Sequence, residues 1–308
     1  MRRASSPCIH KVEILHTRPL LKPPLSLLRL DAENSEKSTP SHSKQPFVFI
    51  FRLLSMTLNY KEFGQGYPVI ILHGLFGTLD NWQTIAKQLA ADYSVYIIDQ
   101  RNHGKSPHDD AFDYSIMAED LKDFMESQWI HEAHIIGHSM GGKAVMQFAK
   151  EYPDMVSKLV VVDIAPVQNP VRHTHIFEAL NALPLATLKN RTEADKVLQS
   201  KIDSFGERQF LLKNLTRKRE GGYEFKMNLP AIEAAYPHIL APIEYDSPFE
   251  EPTLIIRGGN SKHIMPEHYP IFEEMYEDVR IETIEDADHW VHADKPAELL
   301  QLVQDFLK

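Results

Sequence analysis

From Met56 onward the chain alternates short apolar runs with stretches whose apolar residues recur at helical spacing. Val69 to Leu72, Val95 to Ile98, Leu159 to Val162, Thr253 to Arg257 and Arg280 to Ile284 read as strands, and the apolar run His134 to Ile136 fits one covered on both faces. Thr57 to Tyr60 reads as a first strand. Between the strands, Asn81 to Leu89, Tyr114 to Gln128 and Gly141 to Ala149 have helical patterns, with Asp80 placed to cap the first of them. Pro296 to Leu307 closes the chain as an amphipathic helix with proline in its first turn. Strands separated by helices predict a mostly parallel sheet with helices on both faces, an α/β architecture.

The alternation stops between about Gln168 and Phe249. His175 to Leu183, Glu193 to Ile202, Glu207 to Leu215 and Leu229 to Ile239 read as helices, and no strand is expected among them. An all-helical insertion after a sheet strand is expected to cap the sheet's C-terminal edge, where open α/β sheets bind ligands. The predicted organisation is therefore a core of residues 56–167 and 250–308 with a helical cap at 168–249.

Residues 1–55 follow neither period. Pro23-Pro24 and the polar run Glu33 to Gln45 predict a disordered extension. A secretory signal would need an apolar core close behind Arg2-Arg3, and none is there. Arg2, Arg3, Arg18 and Arg29 suit a mitochondrial presequence, which Glu33 and Glu36 weaken. Because everything from Met56 reads as a complete domain, translation is expected to start there, with a cytoplasmic product. A mitochondrial one is the alternative.

Charge separates the same two parts. The extension holds nine Lys/Arg against four Asp/Glu, whereas the remainder holds 24 against 39, within a net charge of −10. An acidic body is a poor partner for nucleic acid, whose binding depends on neutralised phosphates. No run approaches the ~18 apolar residues of a membrane span. The single cysteine, Cys8, excludes a disulfide within the chain and a thiolate nucleophile in the folded part.

Candidate chemistry centres on Gly137-His138-Ser139-Met140-Gly141, a G-x-S-x-G joining an apolar strand to a helix. Glycines two before and two after the serine make room for a sharp turn that lifts its hydroxyl above the sheet edge. Gly142 lets the helix start approach the neighbouring strand. A serine hydroxyl needs a base and oxyanion donors to react at neutral pH. His289, in the loop after the last strand, is the expected base, with His292 its competitor. The loop after Arg257 has no acid before Glu267. Asp163, at the end of the preceding strand, is therefore expected to orient the imidazole, with Ser261 hydrogen-bonding the histidine or its aspartate. The oxyanion donors are expected to be the backbone N–H of Met140 and that of Leu75, with Phe76 as the alternative.

The loop Asp99 to Ser106 is expected to brace the site from beneath, with His103 able to approach a substrate. The pairs His173/His175, His263/His268 and His289/His292 match no recognised ligand pattern with supporting carboxylates, so no metal is expected. Gly221-Gly222 and Gly258-Gly259 read as turns rather than phosphate loops. No cofactor is expected.

HGLFG at His73 to Gly77 with Asp80-Asn81-Trp82, DQRNHGKSPH from Asp99, GHSMGGKAVM from Gly137, VVDIAPV from Val161, RGGNS from Arg257 and HWVHADKP from His289 together resemble the YbfF-type α/β-hydrolases. The resemblance covers the chain from Met56 onward. It implies an α/β-hydrolase fold and an esterase or thioesterase acting on a small acyl ester or acyl thioester. It also implies Ser139 as nucleophile, His289 as base, Asp163 as acid, and Ser261 at the usual acid position. A carbon–carbon hydrolase or lyase using the same residues, or a hydrolase-fold receptor without turnover, are the rival readings.

Overall fold

The computed structural model describes residues 56–308, so the expectations for residues 1–55 lie outside the described part. Seven strands form the main sheet, in the spatial order β1 (Tyr60–Phe63), β3 (Tyr93–Ile98), β2 (Tyr67–Leu72), β4 (Ala133–His138), β5 (Val156–Val162), β8 (Thr253–Gly258) and β9 (Val279–Ile284). Going along the chain, β1 (Tyr60–Phe63) runs antiparallel to β3 and leads into β2 (Tyr67–Leu72). After α1 (Gln83–Leu89) come β3 (Tyr93–Ile98), α2 (Tyr114–Ser127), β4 (Ala133–His138), α3 (Met140–Glu151) and β5 (Val156–Val162). Apart from β1, the strand pairs of this sheet are parallel.

Side-chain alternation explains why both faces are covered. Ile70, Leu72, Ile135, Leu159, Val161 and Ile255 point to the layer that holds α2 and α3. Their neighbours Val69, Ile71, Ile136, Val160, Val162, Leu254 and Ile256 point to the layer of α1 and the C-terminal helix. A strand that buries both alternating sets reads as a continuous apolar run, which is why the parallel strands were visible in the sequence. The exposed β1 has no such pattern. It lies at Tyr60–Phe63 rather than at the expected Thr57 to Tyr60.

Between β5 and β8 (Thr253–Gly258) the chain forms α4 (Thr174–Asn181), α5 (Arg191–Leu198), α6 (Phe205–Leu212), the hairpin β6 (Leu215–Arg217) and β7 (Tyr223–Phe225), α7 (Leu229–Ala234) and α8 (Tyr236–Leu240). Two details differ from expectation. The hairpin turns at Gly221 and Gly222, both at positive φ, so the insertion is not wholly helical. Strands of three residues are too short to show a period of two. The helix expected over Leu229 to Ile239 is broken at Ala235, because Pro237 follows in the first turn of α8.

The chain ends with α9 (Tyr269–Met275), β9 (Val279–Ile284), α10 (Val291–Asp294) and α11 (Pro296–Leu307). Asp80 is not the cap expected for α1. A 3-10 turn over Leu79–Trp82 precedes that helix, Thr78 starts the turn with its N–H donating to Asn81 Oδ1 (2.7 Å), and Asp80 instead pairs with exposed Lys61. Among the described residues no helix is long and apolar enough to cross a membrane.

The strand order reverses at β2, which has β3 on one side and β4 on the other. Loops leaving the C-terminal ends of β2 and β4 diverge there, and a crevice opens between them. Both the His73–Gly77 loop and Ser139 lie at this point.

Candidate active site

β4 ends at His138 and α3 begins at Met140, so Ser139 alone makes the turn, at φ 55° and ψ −120°. A non-glycine residue persists in that region only where its surroundings over-determine it. They do so here through two glycines. A Cβ on Gly137 would lie 2.2 Å from the Gly141 carbonyl oxygen, and one on Gly141 would lie 2.5 Å from that of His73. The Ser139 N–H also donates to Val162 O (3.0 Å), tying the turn to β5.

Asp163, the residue after β5, also has positive φ (53°) and is fully buried. Its Oδ1 accepts from Gly258 N–H at 3.0 Å; its Oδ2 accepts from the Ser261 hydroxyl at 2.5 Å and from His289 Nδ1–H at 2.8 Å. On the other side of the imidazole, the Ser139 hydroxyl donates to His289 Nε2 at 2.9 Å. Residues from the ends of β4, β5, β8 and β9 thus form one continuous hydrogen-bonded chain. His292 is not part of it. It sits in α10 with its ring stacked on Trp82 (4.8 Å between centroids).

Burial raises the Asp163 carboxyl, opposed by the Ser261 and Gly258 donors and by nearby His263 and Arg257. Burial also lowers His289, and the neighbouring His173, His292 and Arg172 lower it further. The imidazole therefore rests neutral at physiological pH, with Nε2 free to accept a proton.

The loop after β2 faces the same hydroxyl. Phe76, at φ 60°, donates its N–H to His103 Nε2 at 3.3 Å. His103 is fully buried, with Nδ1–H donating to Arg101 O (2.9 Å), so it supports this loop rather than approaching a substrate. Asp99 braces it from below by accepting from Leu79 N–H (2.8 Å) and Lys105 N–H (2.9 Å). The Phe76 N–H is therefore already engaged. Neither Leu75 N–H nor Met140 N–H has an acceptor among the described residues.

Three side chains in and around this site carried no sequence expectation of their role. His263 stacks face to face on His289 at 3.6 Å and 19°, with Nδ1 3.2 Å from Ser261 Oγ. Its position two residues after Ser261 was the available signal. Asn214, in the insertion, donates to Phe76 O (2.7 Å). Lys143 is fully buried on α3 and donates to Val167 O (2.7 Å), Leu240 O (3.3 Å) and Ala241 O (2.6 Å), so it binds both ends of the insertion. Nothing in the local sequence marked either of these two.

Asp163, His263 and His289 also place one ligand-type atom each within 4.8 Å of one another. They do not suit an ion. Imidazole lone pairs lie in the ring planes, and two rings stacked at 19° aim theirs side by side rather than at a common point. The Asp163 oxygens are, moreover, already engaged by three donors.

Two cavities meet at Ser139. One is walled by Phe76, Ile176, Glu207, Phe210 and Trp290, the other by Tyr114, Met140, Ile164, Arg172 and Ile239. Both combine residues of the sheet edge with residues of the insertion.

Residues 67–296 match the family model described as the alpha/beta hydrolase fold. The chain belongs to the α/β-hydrolase fold family. Within this family it is 39% identical over 241 residues to Esterase YbfF of Escherichia coli, covering 78% of this chain and 92% of that protein. It is 36% identical over 265 residues to the sn-1-specific diacylglycerol lipase ABHD11 of Danio rerio, covering 82% of this chain and 83% of that one. A solved marine microorganism esterase superposes with a TM-score of 0.80 at 41% identity, covering 82% of this chain and all of that one. These likenesses place this α/β-hydrolase among the YbfF-type esterases, as a hydrolase of the esterase or lipase class.

Proposed function

We propose that the chain is a serine hydrolase that cleaves acyl esters or acyl thioesters through an acyl-enzyme on Ser139. The observation that carries this reading is the relay Ser139 Oγ to His289 Nε2 (2.9 Å) and His289 Nδ1 to Asp163 Oδ2 (2.8 Å). In the first half-reaction the Ser139 oxygen attacks the substrate carbonyl carbon while its proton passes to His289 Nε2. Asp163 stabilises the imidazolium and keeps Nε2 turned to the serine. Leu75 N–H and Met140 N–H take the negative oxygen of the tetrahedral intermediate, as fixed donors that need no reorganisation. Collapse breaks the bond to the alcohol or thiol, which leaves with the proton from His289. In the second half-reaction water gives its proton to His289 and attacks the acyl carbon. Collapse of that intermediate releases the carboxylic acid and returns the proton to Ser139.

Residues 168–249 act in this reading as the cap, supplying the outer walls of both cavities. The mostly apolar wall of Tyr114, Met140, Ile164 and Ile239 suits an acyl chain, which leaves the cavity of Phe210, Trp290 and Glu207 for the leaving group.

The test is a fluorophosphonate probe followed by a panel of p-nitrophenyl esters, acyl-CoAs and diacylglycerol of increasing chain length. Labelling and hydrolysis are expected in the wild type, and both are expected to vanish in Ser139→Ala. Folded wild-type protein that neither labels nor hydrolyses any member would overturn the reading.

A further inference from the structure

Besides the relay itself, the site contains a second imidazole whose placement is as specific as that of the first. His263 lies face to face with His289, ring centroids 3.6 Å apart and planes 19° from parallel. It stands 3.8 Å from Asp163 Oδ2 and keeps 18% of its side chain exposed, so it forms one side of the His289 ring's enclosure. We infer that His263 is a positioning residue for the base: its neutral ring face holds the His289 imidazole in plane with Ser139 and Asp163, and excludes water from that side. The inference rests on the serine-hydrolase reading for its kinetic consequence, though not for its geometry.

Two contacts of His263 must be kept apart. Its Nδ1–H donates to Ser261 Oγ, but its own backbone N–H reaches the same oxygen at the same distance, 3.2 Å. Ser261 is therefore held with or without the imidazole, and donates its own proton to Asp163. What only the ring supplies is the stacked face. A flat aromatic face blocks rotation of its partner about χ2, and its negative quadrupole meets the imidazolium that forms when His289 accepts the serine proton. A charged His263 would do the opposite and repel it. Burial keeps His263 neutral, lowering it to about 3, with His289 and Arg172 pressing the same way and Asp163 opposing.

The other charged or titratable groups around the pair are Arg172 and His173 before α4, His138 at the end of β4, His292 in α10 and Arg257 in β8. His138 donates Nε2–H to the His289 carbonyl (2.8 Å) and so fixes the backbone of the base, not its ring. His263 is the ring stacked face to face on it.

Two substitutions separate the stack from the hydrogen bond. His263→Phe keeps an aromatic face and loses Nδ1–H; His263→Gln keeps polarity and similar length but loses the face. The measurement is the pH dependence of kcat/KM on one p-nitrophenyl ester, together with NMR titration of the His289 ring in the same three proteins. Opening that side of His289 to water relieves the burial that lowers its pKa. In His263→Gln the acid limb and the His289 titration are expected to move up by about one pH unit, with plateau kcat reduced about tenfold. In His263→Phe both are expected to stay within a few tenths of a unit of the wild type. Superposition of His263→Gln on the wild type would overturn the inference, as would equal shifts in both variants. The NMR titration needs no turnover. A wild type that hydrolyses nothing would therefore remove the esterase reading while the role of the stack is still decided by the ring titration.

Discussion

The two halves of the site are built on different principles. On the sheet edge, Ser139 and Asp163 sit at positive φ, and Asp163 is fully buried and engaged by three donors. The insertion contributes mainly walls: Ile176, Glu207, Phe210, Arg172 and Ile239 line the cavities without hydrogen-bonding to Ser139 or His289. Its polar ties go instead to scaffold, through Asn214 to Phe76 O, Asn228 N–H to Asn102 O, and the carbonyls that hold Lys143. Reaction needs atoms held within a fraction of an ångström, whereas selecting an acyl chain needs only shape and polarity. The strain is found where the first requirement applies.

Changes on the sheet edge should therefore collapse turnover while sparing the fold, and changes at the base of the insertion should do the reverse. The largest effect is expected for Asp163→Asn, a fall in kcat of ~10⁴-fold, because the imidazolium loses its counter-charge and its tautomer is no longer fixed. Steady-state kinetics on the best ester of the panel measures it. Lys143→Met comes next and belongs to the other class. The half-buried carbonyls of Val167 and Ala241 lose this donor, while Leu240 O keeps Asn169 N–H, which should cost about 1–3 kcal/mol in denaturant unfolding. Burial lowers Lys143 to about 7, while its carbonyl acceptors favour the ammonium form.

Acidity sharpens the comparison further. Because the pKa of His289 is lowered, the imidazole stays neutral at and somewhat below the usual histidine value, and the proposed mechanism needs that neutral form. The acid limb of kcat/KM should lie below pH ~6.5 and fall as pH drops through the lowered value. A limb above that pH would show a solvated base. The smallest effect is expected for Ser261→Ala, a loss in kcat below about tenfold, since Asp163 retains Gly258 N–H and His289. Should Ser261→Ala prove costlier than Asp163→Asn, the acid has been placed on the wrong residue.

Legibility in the sequence follows the same division. Parallel strands buried on both faces, the turn at Gly137 to Gly141 and the loop that carries His289 could all be read from hydrophobic runs and glycine spacing. Their physical requirements are local. The contact of Asp163 with His289 was reachable because the loop after Arg257 lacks an acid before Glu267 and an aspartate ends the strand before it. Less was legible where the cause is distant. The β6–β7 hairpin is too short for a period, and the break at Ala235 reflects a proline inside an otherwise helical pattern. His263 looked like one histidine among sixteen, and only the fold stacks it on His289. Lys143 sits on a helix face that its sequence marks as ordinary, and its three acceptors come from residues 24 to 98 positions away.

The central claim is that one hydroxyl carries the acyl group between two half-reactions. Rapid acid quench of the enzyme with p-nitrophenyl acetate, followed by peptide mass spectrometry, reads that group directly. One acetyl per chain on Ser139, absent from Ser139→Ala and depleted in His289→Ala, is the expected result. Turnover without any adduct on Ser139, or with the acetyl on another residue, would contradict it.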